Sequence, residues 1–507
     1  MVPAANLEAG PPLAQPADAA PADPVRSLYF ALSQSRPASG TVEAARRYLD
    51  ASLQDVAALE CDLPATPEGL DAWISHNTVD VGQRYQDYLA ARKAGGARQY
   101  FSNKSHALYF LKSVAPTKTV DGSWLYGLAR YWNDGRFGSL IRIYLEELGS
   151  GLPDKNHVLL YKRLLAAHGC DKWDQLSETH FVQGAIQLAL AHQAEQFLPE
   201  IIGFNLGYEQ LPLHLLIASY ELNELGIDPY YFTLHVTVDN ADTGHAKTAL
   251  NGLREAWPVL GNGERFYERV VAGYKLNMLG AGTNSVIDSF DLEQELIAIL
   301  AEKSTVGKQV HSDYCRVAGR PINDWLREPS KMPEFLQALV QAGWIRRNEA
   351  PENSRFWKLI QGERAEMFGV FSAYEQQVIH DWILGDAATQ TAAAPVQRTL
   401  TFKARQKLLE SLGRRGVNQA GAGAANDAAP AATPVQERPA PLRAVDSSQD
   451  DGHASDFDHE LRQLDTALAS AANRDDAMQL LVGLMSPARH HTPVGLKATR
   501  LFARMMG

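Results

Sequence analysis

The chain has 507 residues, 45% of them apolar and 21% charged, with a formal charge of −11. That length allows two or three domains and a sizeable core, and the acidic balance argues against a protein that grips nucleic acid through a basic face. Cys61, Cys170 and Cys315 lie far apart, so no CxxC pair suggests a structural zinc site or a redox dithiol; scattered thiols suit a reducing cytoplasm. No apolar run approaches the roughly 18 residues needed to cross a bilayer. The first 24 residues lack the basic start of a secretory signal. A soluble, cytoplasmic protein with neither membrane nor nucleic acid as a partner is expected.

In chain order, residues 1–25 are Pro- and Ala-rich and read as a disordered leader. Residues 26–120 read as an N-terminal helical region packing on a core at 121–260, and residues 261–385 as the C-terminal part of the same body. Within the core, Leu140, Tyr144 and Leu148 form one apolar stripe in a helical pattern running from Ser123 to Leu148. GSGLP at 149–153 breaks it. A new helix near Asp154 carries Leu160, Tyr161 and Leu164, and another runs from Pro199 to Leu222, interrupted or kinked near Pro212. After GIDP a helix through Tyr231 to Leu250 is predicted to stop at Asn251–Gly252. Asp291 suits the N-cap of the helix that follows it, and GWIRRN (343–348) suits a short strand. Residues 386–454, rich in Ala, Pro, Gln and Gly, read as a low-complexity linker; short amphipathic helices at 455–507 follow. The fold class expected is all-α, with a tail separable from the helical body.

Acids and histidines on apolar helical faces carry the chemistry. Glu147 shares the stripe of Leu140 and Tyr144, whereas Glu146 turns toward solvent or a salt bridge. His157 precedes Leu160, Tyr161 and Leu164 on their face, and Glu209 ends the apolar run IIGFNLGYE. In LHVTVDNADTGHA, His235, Asp239 and His245 span roughly 120° of one helix, with Asp242 between them. Such groups are costly in a core unless something binds them. A mixture of imidazole and carboxylate suits iron, and helices facing one another can gather ligands for two metals. A polar network at a helix start also fits Asp239, Asp242 and His245. His168, His180, His192 and His214 read as hydrogen-bonded core residues, and the aromatic stretches 97–118 and 122–132 as packing rather than pocket lining.

Over residues 100–260 the sequence resembles the haem-oxygenase-like diiron oxidases, a family of iron-containing redox enzymes. The stretches that carry the likeness are YLEELGSG with His157 after it, IIGFNLGYE, and LHVTVDNADTGHA, the last two joined by NELGIDPYYF. The resemblance implies a haem-oxygenase-like helical bundle. It implies two ferrous ions held by Glu147, His157, Glu209, His235, Asp239 and His245, and O₂ as co-substrate. Many members place the last histidine three residues after the aspartate, where this chain has Asp242; a step of six, reaching His245, also occurs among relatives that desaturate or decarboxylate fatty acids. Whether His235 binds metal or supports a ligand stays open, with Asp242 as the reserve. The family oxidises small organic substrates by N-oxygenation, desaturation or C–C cleavage of amino or fatty acids. A small-molecule substrate, an external electron donor and a homodimer are the partners it leaves in play. The reading of another class is a helical interaction protein with a structural or vestigial metal site, in which the basic segment 398–415 helps the tail to dock.

Overall fold

The computed structural model describes residues 23–238, 244–259, 261–308, 311, 312, 314–362, 365–385 and 451–506. Helix dominates them, as expected of an all-α chain. The described strands are the two-residue pair Arg316–Val317 and Arg320–Pro321, joined antiparallel. None of the described helices is long and apolar enough to cross a membrane.

Two apolar cores divide the molecule. The first joins the helices Pro24–Leu32, Ser39–Val56, Gly138–Glu147, Glu178–Ala191, Leu198–Tyr208, His245–Glu255 and Gly263–Lys275 through residues such as Leu49, Leu140, Ile186, Ile202, Leu253 and Val270. The second joins Lys104–Ser113, His157–Ala167, Leu213–Glu224 and Tyr230–Val238 to the helices between residues 283 and 384, through Phe110, Tyr161, Leu222, Phe232, Leu300 and Ile379. Burial of such faces, at about 25 cal/mol per Å² of apolar surface, is what holds these short helices in place.

Local chemistry sets where the helices break, and in several places it overrides the periodicity. The pattern from Ser123 to Leu148 is not one helix. A 3₁₀ stretch at Ser123–Tyr131 and a 3₁₀ turn at Gly135–Phe137 precede the α-helix Gly138–Glu147. The turn signal Asn133–Asp134–Gly135 interrupts, with the Asp134 carboxylate accepting the Arg136 N–H. The Pro199–Leu222 pattern is interrupted near Pro212, giving the helices Leu198–Tyr208 and Leu213–Glu224, because Pro212 offers no N–H and disfavours a helical residue before it. The Tyr231–Leu250 helix is likewise two, Tyr230–Val238 and His245–Glu255, with residues 239–243 outside the described set. The second of these runs past Asn251–Gly252. Gly252 does not stop the helix; a Cβ there would stand 2.6 Å from Leu140 Cδ2, so the glycine allows the two helices to meet. The helix expected near Asp154 begins at His157, with Asn156 as its cap. Asp291 caps the helix Leu292–Gly307 as expected. GWIRRN is not a strand: the Trp344 and Ile345 N–H groups fold back onto the Leu339 carbonyl.

The tail does not stand apart. Its helices Asp451–Ala469, Arg474–Leu484 and Pro493–Met506 place Leu464, Met478, Leu481, Val482, Met485, Val494, Ala498 and Phe502 in the first core. The Tyr144 hydroxyl donates to the Met485 carbonyl. The basic segment 398–415 lies outside the described residues. Phe502 is fully buried, so Phe502→Ala is expected to cost about 3–5 kcal/mol of stability. Chemical denaturation of the full chain measures this; an unchanged midpoint would mean that the tail is not part of the core.

Candidate metal centre

The seam between the two cores is polar. From the first core come Glu147, the last residue of its helix, Glu209, just past the end of Leu198–Tyr208, and His245, the first residue of its helix. From the second come His157, first in its helix, and His235, in the last turn of Tyr230–Val238. Asp121, between the helix Ala115–Lys118 and the 3₁₀ stretch, completes the set. All six are buried. Two acids thus sit at helix C-termini and two imidazoles at N-termini, the reverse of what the helix dipole favours.

The ligating atoms form two groups that share one residue. Asp121, Glu147, His157 and His235 each offer an atom within 4.8 Å of the others, and so do Glu147, Glu209 and His245. His235 Nδ1 lies 2.8 Å from the Tyr231 carbonyl, which orients the ring, and its Nε2 lies 3.2 Å from Asp121 Oδ2. Tyr231 Oη donates to the same Asp121 oxygen at 2.7 Å. The His157 and His235 rings lie 4.2 Å apart, centre to centre. His245 Nδ1 stands 2.8 Å from Glu209 Oε2 and 3.6 Å from Glu147 Oε1, and its Nε2 2.7 Å from Glu146 Oε2.

Burial and charge together make this an unbalanced interior. Burial raises the Glu147 carboxyl to about 7, with the Asp121 carboxylate adding to the effect. Burial lowers His157 to about 4. The close approach of His157 Nδ1 to Glu147 Oε2, 2.5 Å, is therefore not an ion pair at neutral pH. For His245 burial favours the neutral ring, but the Glu209, Glu146 and Glu147 carboxylates outweigh it and hold the imidazolium up to about 12. Burial raises Glu209 and opposes ionisation of Asp121; for Asp121 the Lys118 ammonium and His235 win, and its carboxyl lies well below the usual range.

Asp121 Oδ1, Glu147 Oε2, His157 Nδ1 and Glu209 Oε1 are buried without a hydrogen-bond partner. Unpaired buried polar atoms cost about 1–3 kcal/mol each, more when charged. A set of carboxylates and imidazoles with four open acceptor positions fits divalent first-row metals, iron among them.

The structure brings Glu147, His157, Glu209, His235 and His245 together at this seam. Glu146 is half-exposed and ion-paired to His245, the alternative read from its register. Asp239 and Asp242 lie outside the described residues. Asp121 was missed. It sits in Val120–Asp121–Gly122, which reads as a turn, and no helical periodicity marks it as inward-facing.

Residues 108–276 match a family model described as iron-containing redox enzyme. This segment carries the signature of the haem-oxygenase-like superfamily. Every residue of the cluster falls within the haem-oxygenase-like segment, whereas the tail helices fall outside it. No curated protein and no solved structure matches the chain.

Gly122 shows how tightly the loop is set against the haem-oxygenase-like cluster. Its φ is +77°, and a Cβ there would stand 2.7 Å from Glu147 Cβ. Gly122→Ala is expected to lose about 1–3 kcal/mol of stability to backbone strain and to displace Glu147, lowering metal affinity. Metal titration alongside thermal unfolding measures both; wild-type values in each would show that Glu147 is not held by this contact.

Proposed function

We propose that the chain is a non-haem diiron oxidase or oxygenase that uses O₂ to oxidise a small organic substrate. The observation that carries this reading is the pair of ligand groups sharing Glu147. In it Asp121, His157 and His235 would hold one ion and Glu209 and His245 the other, with Glu147 belonging to both groups. Asp239, from the resemblance, is a further ligand in this reading. Iron so held supplies the electrons and open positions for O₂ activation and leaves the organic substrate to be positioned by the protein.

The chain's own residues do the rest. Tyr231 supports the assembly twice, through its carbonyl on His235 and its hydroxyl on Asp121. Asn156 accepts the Leu159 N–H at 2.9 Å as the helix cap beside His157, and its amide nitrogen stands 3.1 Å from His490 Nδ1 on the tail. The tail thereby pins the start of the His157 helix. Trp124, Phe204 and Tyr208 pack together on the Glu209 side, and Lys118 Nζ donates to Tyr208 Oη at 3.0 Å. These aromatics keep bulk water from the acids, which strengthens every charge interaction inside.

The shared residue gives the test. Anaerobically loaded wild-type protein is expected to bind two irons per chain and to consume O₂. Glu147→Ala should lose both irons, whereas His235→Ala and Glu209→Ala should each retain about one, with fold followed by circular dichroism. Tight binding of zinc in preference to iron, or unchanged iron content in Glu147→Ala, would overturn the proposal.

A further inference from the structure

A cavity of about 170 Å³ opens between the first helix, the segment before Asp121, the His157 helix and the tail. It is lined by Tyr29, Phe30, Ser33, Thr119, Val120, Lys162, Trp173, Pro487, Ala488 and His491. Phe30 and Trp173 stack in its wall, 6.1 Å between centres and 15° between planes. Cavities of about 150 Å³ hold a molecule the size of benzene.

Its charges are one-sided. Lys162 Nζ lies 2.7 Å from His491 Nε2, and no carboxylate stands within ion-pair distance of Lys162 among the described residues. An ammonium can only donate, so His491 Nε2 accepts and the ring proton sits on Nδ1. His491 Nδ1 is buried and has no partner. The cavity therefore carries a lysine with donor capacity to spare, His491 Nε2 taking one of its protons. No acidic residue lines it. Burial lowers the pKa of Lys162, the mark of a cation short of a counter-charge.

We infer that this cavity binds a small carboxylic acid, its carboxylate on the spare donors of Lys162 and its apolar body against Phe30 and Trp173. A carboxylate is an acceptor-only group, which matches an ammonium that can only donate. An α-amino acid is disfavoured, because its ammonium would find the Lys162 charge and no carboxylate in the lining. The site goes beyond the proposed oxidase function and does not depend on it, although Thr119 and Val120 of its wall lead directly into Asp121. It also gives the tail a second role, since Pro487, Ala488 and His491 lie beyond the haem-oxygenase-like segment.

The test is calorimetric titration of the full chain, metal-free and iron-loaded, with benzoate, hexanoate, benzamide and phenylalanine. Benzoate or hexanoate should bind saturably in both forms, and whichever binds tighter assigns an aromatic or an aliphatic acid. Benzamide and phenylalanine should bind about 10- to 100-fold more weakly, the loss expected for a charge-assisted hydrogen bond. Lys162→Met should weaken the acids by the same factor while its iron content stays at the wild-type level, and Lys162→Arg should restore binding. If Lys162→Met does not fold, Ala488→Phe, which fills the cavity and keeps the charge, should abolish acid binding. Absence of saturable binding by either acid, benzamide binding as tightly as benzoate, or unchanged affinity in these variants would overturn the site. Iron stoichiometry, read separately, reports on the oxidase proposal alone.

Discussion

Everything in the site follows from three carboxylates, Asp121, Glu147 and Glu209, buried where two apolar cores meet. Mutual repulsion and lost hydration make that placement costly. The chain's own compensation is the His245 imidazolium and the Lys118 ammonium, and four ligating atoms still lack partners. Glu147 marks the imbalance best: its carboxyl titrates near neutrality because burial and Asp121 both resist its charge. In the proposed reading a positive ion on each side of it would resolve the conflict, and the centre would also be the joint that ties one core to the other.

The surrounding fold serves that joint. Helices begin or end on the ligands, so each side chain is fixed by a terminus rather than by a long rod. Glu147 ends one helix, Glu209 follows the end of another, and His157 and His245 begin theirs. Termini are positioned by caps, which explains the weight carried by Asn156 and by His490 behind it. It also explains why residues far along the chain matter: the tail joins the first core and reaches the His157 helix through the Asn156–His490 and Lys162–His491 hydrogen bonds.

Much of this was legible in the sequence. Helical spacing separates Glu147 from Glu146, and the structure separates them in the same way, one buried and one half-exposed. His157 and Glu209 were marked by apolar neighbours, and the family resemblance put them in order. Periodicity failed where a helix stops for a local reason, at Asn133–Asp134–Gly135 and at the extended Gly244 ahead of His245. His235 and His245 therefore meet the cluster from two helices rather than from one face. Asp121 was hidden because an isolated Asp–Gly carries no pattern. The tail was misjudged for a related reason. Its apolar positions, Met478, Leu481 and Phe502 among them, were visible, but a low-complexity linker says nothing about what they pack against.

The central claim is that Glu147 is shared between two metal positions at the seam. Anomalous diffraction at the iron absorption edge, on crystals grown and loaded without oxygen, tests it directly. The account predicts two iron peaks, one beside Asp121, His157 and His235, the other beside Glu209 and His245, with a Glu147 oxygen bound to each. A single peak, or two peaks of which Glu147 touches only one, would contradict it.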